Sequence, residues 1–270
     1  MRPLAECAAE VLATADAAEK ARLSRAHAAA WVAAREAGEM PPVGRAAPPL
    51  RPARPDRPEV LPPREVPKRK PGSAEGRTAM LHAVAHIELN AVDLHWDVIA
   101  RFAHVPMPPG FYDDWVQAAD EESKHFGLLS DCLAARGSHY GALPAHAGMW
   151  RAAEDTAEDI MGRLAVVPMV LEARGLDVTP DMIDLFRRHH ETDAVAALET
   201  IYAEEVGHVA YGSKWFHFLC GRHEQDPRET FQGLVRQYFR GPLKPPFNTE
   251  KRAEAGLPPD FYWPLADGMD

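Results

Sequence analysis

Cysteine is scarce in this chain. Cys7, Cys132 and Cys220 are three among 270 residues, widely separated and without a CxxC pair. That spacing excludes a disulfide framework and a zinc knuckle, and it points to buried or free thiols in a reducing compartment. Long apolar runs are missing as well. No stretch of 18 apolar residues occurs, so no membrane span is expected, and Met1–Leu12 lacks the apolar core and small-residue cleavage site of a signal peptide. A cytoplasmic protein is the expectation. Alternating strand patterns and paired-glycine turns are almost absent, which argues against a β-sandwich or an α/β sheet. Nor is there a Walker loop, a dinucleotide fingerprint or a Ser-His-Asp arrangement. An excess of positive charge is lacking too: the net charge is -10 and the pI about 5.7, against the balance of a general nucleic-acid binder.

What the chain does contain is helix-forming sequence interrupted by proline. Residues 2–38 are Ala-rich, with Leu4, Val11, Leu12, Leu23 and Trp31 spaced to form one face of a helix or a helical pair. Eleven of the 25 prolines then fall between residues 41 and 71, interleaved with arginine and lysine. Proline has no amide donor and forces its predecessor towards extended geometry, so this segment is neither a helix nor a central strand. It is either a disordered linker or an arm strapped across the domain, with Val60, Leu61 and Val66 as its apolar contacts.

Four long helical patterns follow, over 76–102, 112–136, 150–174 and 194–220, with a shorter one over 180–189. Gly137, Gly175 and Gly221 mark their C-terminal ends. Pro168 lies inside the third, where a kink near Leu164 is expected. The tail from Gly241 reads as irregular. The organisation expected is an N-terminal helical segment (1–40), a Pro/Arg-rich arm or linker (41–75), a four-helix bundle (76–222), and a C-terminal helix with a Pro-rich tail packing on the bundle (223–270).

The chemistry sits on those helices. The second contains Glu122-Ser-Lys-His125 and the fourth Glu205-Val-Gly-His208. Residues three apart share one helix face, so each pair can grip one metal ion with a carboxylate and an imidazole. A single Glu-x-x-His pair is weakly specific. The first and third helices, however, each carry a glutamate within apolar sequence, Glu88 in His86-Ile-Glu-Leu and Glu172 in Pro168-Met-Val-Leu-Glu. A carboxylate on a core-facing stripe is costly unless it is paired or bound to a metal. The resulting order over successive helices, Glu then Glu-x-x-His, twice, is that of ferritin-like di-iron and di-manganese carboxylate proteins. The predicted fold is therefore all-α, a ferritin-like four-helix bundle with Pro-rich extended arms. Its predicted metal ligands are Glu88, Glu122, His125, Glu172, Glu205 and His208. Such an oxygen-rich set suits two iron ions, with manganese as the alternative, better than zinc.

Several segments carry a family resemblance: His86-Ile-Glu-Leu, the paired Glu-x-x-His helices, Leu164 to Asp177, Lys214-Trp-Phe and the Gly241 to Asn248 tail. Together they resemble the DUF455 family of ferritin-like proteins, which is similar in turn to the tRNA hydroxylase MiaE and, more distantly, to rubrerythrins. The resemblance implies the bundle and the di-metal site, with Glu122 and Glu205 bridging and Glu88 and Glu172 more terminal. The family tends to carry Asp before each ligand Glu, where this chain has Glu121 and Glu204. These two are candidates to orient the histidines from behind, or else solvated carboxylates on the outer face.

Three functions remain open on this reading. One is an oxygen-activating oxidase or hydroxylase acting on an organic substrate, with dioxygen as co-substrate and an unidentified electron donor. Another is peroxide or iron handling of the rubrerythrin or ferritin kind. The third is a metal-stabilised structural or binding protein without turnover. The basic run Arg64, Lys68, Arg69, Lys70 and Arg77 makes tRNA a candidate substrate, against the plainer reading of solvated linker charge. Tyr202 and Tyr211 are either redox-active phenols or core residues. His82 and His86 share a helix face that differs from that of Glu88. His189 and His190 read as surface, and Trp96, Trp150 and Trp215 as packing anchors.

Overall fold

A computed structural model describes residues 2–266 apart from 63, 68 and 147. The described chain is mostly helical, as the sequence implies. It divides into two compact units: residues 1–150 with 191–197, and residues 151–190 with 198–270.

In the first unit, α1 (Leu4–Ala13) and α2 (Ala17–Glu36) precede the proline-rich segment, and α3 (Ala74–Arg101) and α4 (Pro109–Ala134) follow it. The predicted N-terminal helical pair is thus present. Helices α2 and α3 begin where a side chain meets their free amides, and α4 begins at a proline. Asp16 accepts from the Glu19 amide, Ser73 accepts from the Gly76 amide, and Pro109 opens α4 without needing a donor. Past Ala134, Gly137 takes a left-handed φ of 67° and turns the chain away.

Helix α3 is the axis of this unit. It packs along α4 and against α1, while α2 packs on α4. Every residue from Glu88 to Ala100 is buried. A helix covered on all sides must satisfy its polar side chains internally. Here Asp93 accepts from Lys20 Nζ at 2.5 Å, Asp97 pairs with Arg101 at 2.7 Å, and Trp96 donates to Ser24 Oγ at 2.8 Å. Arg54 donates to Asn90, whose amide in turn donates to the His86 carbonyl at 2.5 Å.

The proline-rich segment, where described, is an arm and not a loose linker. Leu4 and Ala5 donate their amides to the carbonyls of Pro42 and Val43, and Ala53 donates to Leu12. Arg101 donates to the Pro49 carbonyl, Lys20 to that of Ala53 and Trp150 to that of Leu50. A two-residue strand β1 (Val60–Leu61) pairs in parallel with β2 (Ala145–His146). The apolar residues expected to anchor this arm do not: Val60 is exposed and Leu61 and Val66 are only half-buried, whereas Pro52 and Pro58 are buried. Backbone carbonyls, the Ala53 amide, the Arg54 side chain and two buried prolines hold it, since a segment poor in amide donors can still accept.

The third predicted helix needs two corrections. It starts as α5 (Gly148–Asp155), breaks, and restarts as α6 (Ile160–Val166), where Asp159 accepts from the amides of Met161 and Gly162. Pro168 lies in a π-helical segment (Val167–Glu172) that follows α6 directly. The helix also runs on past Gly175: α7 (Ala173–Arg188) absorbs both Gly175 and Pro180, so 180–189 is not a separate helix. Gly175 meets nothing nearby and needs no left-handed conformation, so it does not act as a terminator.

The last long helix, α8 (Thr192–Arg222), likewise passes through Gly221. In the second unit α9 (Pro227–Tyr238) packs on α6, and Tyr238 donates to Asp159 at 3.0 Å above Gly162, where no β-carbon would fit. The tail is more ordered than expected, with α10 (Thr249–Glu254), α11 (Pro259–Tyr262) and a closing 3-10 turn (Trp263–Leu265). Arg252 pins it to α7 through two bonds to Asp177, at 2.8 and 2.7 Å.

Candidate metal centre

In the first unit, α3 and α4 bring Glu88, Glu122 and His125 together. Their ligand atoms lie within 4.8 Å of one another. His125 Nδ1 is 3.1 Å from Glu88 Oε2 and 3.4 Å from Glu122 Oε2, so one ring nitrogen faces both carboxylates. Glu122 and His125 are fully buried and Glu88 is 3% exposed. Burial pushes the Glu88 carboxyl well above the usual carboxylate range, the negative charge of Glu122 pushes it further, and His125 pulls partly the other way. Two acidic side chains enclosed with an imidazole form a site complementary to a cation.

His95, which the motif search missed, borders this group through Glu122. It is fully buried on α3, its Nε2 lies 3.6 Å from Glu122 Oε1, and its ring stacks on Trp115 with centroids 5.3 Å apart. The signal was present: His95 follows Glu88 by seven residues, two turns along the same helix face. Searching only for Glu-x-x-His concealed it.

The second unit holds the other three predicted ligands. Glu172 ends the π-helical segment at 5% exposure, and Glu205 and His208 sit one turn apart on α8 at 7% and 0%. His208 Nδ1 is 3.6 Å from Glu205 Oε2, and His208 and Glu172 offer ligand atoms within 4.8 Å of each other. The local packing that sets this geometry is tight. One turn beyond His208, Gly212 lies against Pro168, where a β-carbon would overlap the proline ring. The π-segment that carries Glu172 is therefore held against the helix that carries Glu205 and His208. A π-turn shifts every later side chain around the helix, and such turns concentrate at functional sites.

The remaining residues singled out from the sequence fall as follows. Glu121 is half-buried and accepts from Gln117 on its own helix at 2.7 Å, and Glu204 is half-buried. Tyr202 accepts from Asn248 at 2.7 Å, a contact that anchors the tail. His82 and His86 are buried against Tyr140, whose hydroxyl lies 2.9 Å from His86 Nδ1. Burial lowers both histidines, His82 to about 4 and His86 to about 3. His189 and His190 are exposed, while Trp96, Trp150 and Trp215 are buried. All three cysteines are free thiols. Of the basic run, Lys68 lies outside the described residues, and Arg77 is engaged by Glu191 at 2.7 Å. No helix among the described residues is long and apolar enough to cross a membrane.

These features define a class: a mostly helical protein with buried groups of carboxylate and imidazole able to hold a metal ion. The chain belongs to the DUF455 family, whose model, described as "Protein of unknown function (DUF455)", matches residues 13–263. It is also similar to an "Uncharacterized protein" of Haemophilus influenzae (strain ATCC 51907 / DSM 11121 / KW20 / Rd). The two are 41% identical over 208 residues, which is 75% of this chain and 72% of that protein. No solved structure matches the chain.

Proposed function

We propose that this protein is a ferritin-like di-metal carboxylate protein that uses two iron ions, or manganese, in an oxygen-activating oxidase or hydroxylase reaction. On this reading α3, α4, the π-interrupted helix of α6 and α7, and α8 are the four helices of the bundle. The ligands on this reading are the six that the sequence picks out, Glu88, Glu122, His125, Glu172, Glu205 and His208. The supporting observation is the buried group of Glu88, Glu122 and His125, with ligand atoms within 4.8 Å of one another. Acidic oxygens supplemented by imidazole fit iron or manganese in preference to a thiolate-seeking metal.

The protein's own groups have definable tasks. Bound iron would supply the two-electron chemistry of dioxygen. Glu88 and Glu122 hold the negative charge that makes a dication favourable at a site closed to water. His125 presents Nδ1 to the same point, so metal entry requires that nitrogen to be unprotonated and releases any proton held between it and Glu88. Trp115 stacks on His95 and fixes its ring plane beside Glu122. Leu89, Val92 and Leu129 on the same two helices are buried and exclude solvent.

The organic substrate is not specified by these contacts. tRNA is an alternative substrate carried by the basic run, of which Arg77 is engaged by Glu191. The test is ferrous loading under anaerobic conditions followed by admission of air. An absorbance change that needs both iron and oxygen, and that disappears in Glu122→Ala, supports oxygen activation. Tight zinc binding with no oxygen-dependent change refutes it.

A further inference from the structure

The second unit contains a cavity of about 310 Å³ bounded by the π-segment and α7 on one side and by the chain from the end of α9 to α10 on the other. That volume is within the range of small-molecule sites, about 300–1,000 Å³. None of the proposed metal ligands lines it. Its charged lining is entirely cationic, from Arg174, Arg240, Lys244 and Arg252, and Phe239 and Phe247 provide aromatic faces.

Arg252 is the informative residue. It is 2% exposed, and Nε and Nη2 are occupied by Asp177 at 2.8 and 2.7 Å. Nη1 is buried with no hydrogen-bond partner among the described residues. Its guanidinium carbon lies 5.0 Å from the ring centre of Phe247 and 4.7 Å from that of Tyr262. Packing between two rings fixes the plane of the fork, so the spare donor is preorganised and lacks only an acceptor. Asp177, the counter-charge, is already saturated by Arg252 and the Asn248 amide.

The other three cations complete the site. Arg174 Nη1 donates to the carbonyls of Lys244 and Pro246 at 2.7 and 3.1 Å, which holds that stretch of chain as one wall. Arg240 and Lys244 are exposed, and their side chains make no bond to the described residues. Asp177 is the one carboxylate that Arg252 and Arg174 share, and Arg240 and Lys244 have none among the described residues, so the lining keeps an excess of positive charge that attracts an anion, and guanidinium forks match phosphate geometry.

We propose that this cavity binds a small phosphate-bearing ligand with a flat aromatic ring, a nucleoside monophosphate in class. The phosphate is met by Arg252 Nη1, Arg240 and Lys244, and the ring lies against Phe239 and Phe247. Calorimetric titration of the full chain with adenosine monophosphate, inorganic phosphate and adenosine tests it, each with and without a chelator present.

The expected result is saturable binding of about one adenosine monophosphate per chain, about tenfold weaker binding of inorganic phosphate, and none of adenosine. Chelation leaves these values unchanged, so the outcome is independent of the metal centre. The double variant Arg240→Ala/Lys244→Ala touches only exposed side chains and keeps the fold, as circular dichroism would verify. It should weaken binding about tenfold or more. No binding of the nucleotide at millimolar concentration, equal affinity for inorganic phosphate, or an unaffected double variant would each overturn the proposal.

Discussion

Replacing Glu88 by Gln should move the stability of the metal-free and metal-loaded protein in different directions. Glu88 is 3% exposed, with its carboxyl beside that of Glu122 and 3.1 Å from His125 Nδ1. Glutamine keeps the volume and an acceptor for the imidazole but removes one of two neighbouring negative charges. Burial and the Glu122 charge already favour the protonated Glu88 carboxyl, which the neutral glutamine mimics, so in chelator the variant should be at least as stable as the parent. With metal present the order reverses. A ligand at 100 times its dissociation constant stabilises the folded state by about 2.7 kcal/mol. At roughly 2–4 °C per kcal/mol for a chain of this size, the parent Tm should rise by about 5–10 °C. Loss of one direct ligand weakens metal affinity by at least about 100-fold, which leaves roughly 0.4 kcal/mol at the same metal concentration, a rise of no more than ~2 °C. Thermal unfolding of both proteins in chelator and in anaerobic ferrous iron reads all four values. A variant that is markedly less stable in chelator, yet gains as much from iron as the parent, would refute the reasoning.

Other perturbations test the frame around the site. Gly212→Ala sets a methyl against Pro168 and should cost about 1–3 kcal/mol in chemical denaturation, with reduced metal occupancy because Glu172 moves relative to His208. Lys20→Met strands Asp93 as a buried charge and should cost roughly 3–5 kcal/mol at neutral pH, visible as a lower denaturation midpoint. His82 supplies a pH dependence. It accepts from the Gly141 amide at Nε2 over 2.9 Å, and burial lowers it from 6.5 to about 4. Between those values the unfolded chain binds the extra proton, so stability falls as pH drops from 6.5 towards 4, by up to roughly 3 kcal/mol. Urea midpoints across that range should flatten in His82→Gln; an unchanged slope would contradict the assignment.

Much of this was legible in the sequence, and the exceptions have physical causes. The helices around Glu88 and Glu122 could be read to within three residues from their apolar patterning and the end signal at Gly137, while the starts set by Ser73 and Pro109 were not picked out. The end expected at Gly221 lies one residue short of the observed end at Arg222, whereas that at Gly175 failed because glycine terminates a helix only where the chain needs a left-handed turn, and Gly175 takes none. The π-segment is a compromise between Pro168 and its fit against Gly212, a contact between residues 44 positions apart that no local pattern contains. The arm was visible as a composition, but its attachment was not, since carbonyl acceptance leaves no mark on residue type. Among the site residues, Glu122 and His125 were found by spacing, and His95 escaped because a seven-residue interval belongs to no motif that was sought.

The most direct test of the proposed centre is X-ray absorption on the anaerobically iron-loaded protein. The proposed pair of ions held by glutamate and histidine predicts oxygen and nitrogen scatterers in the first shell and a second iron at about 3.5–4 Å. A spectrum from a single four-coordinate ion, with no metal–metal distance, would contradict the account.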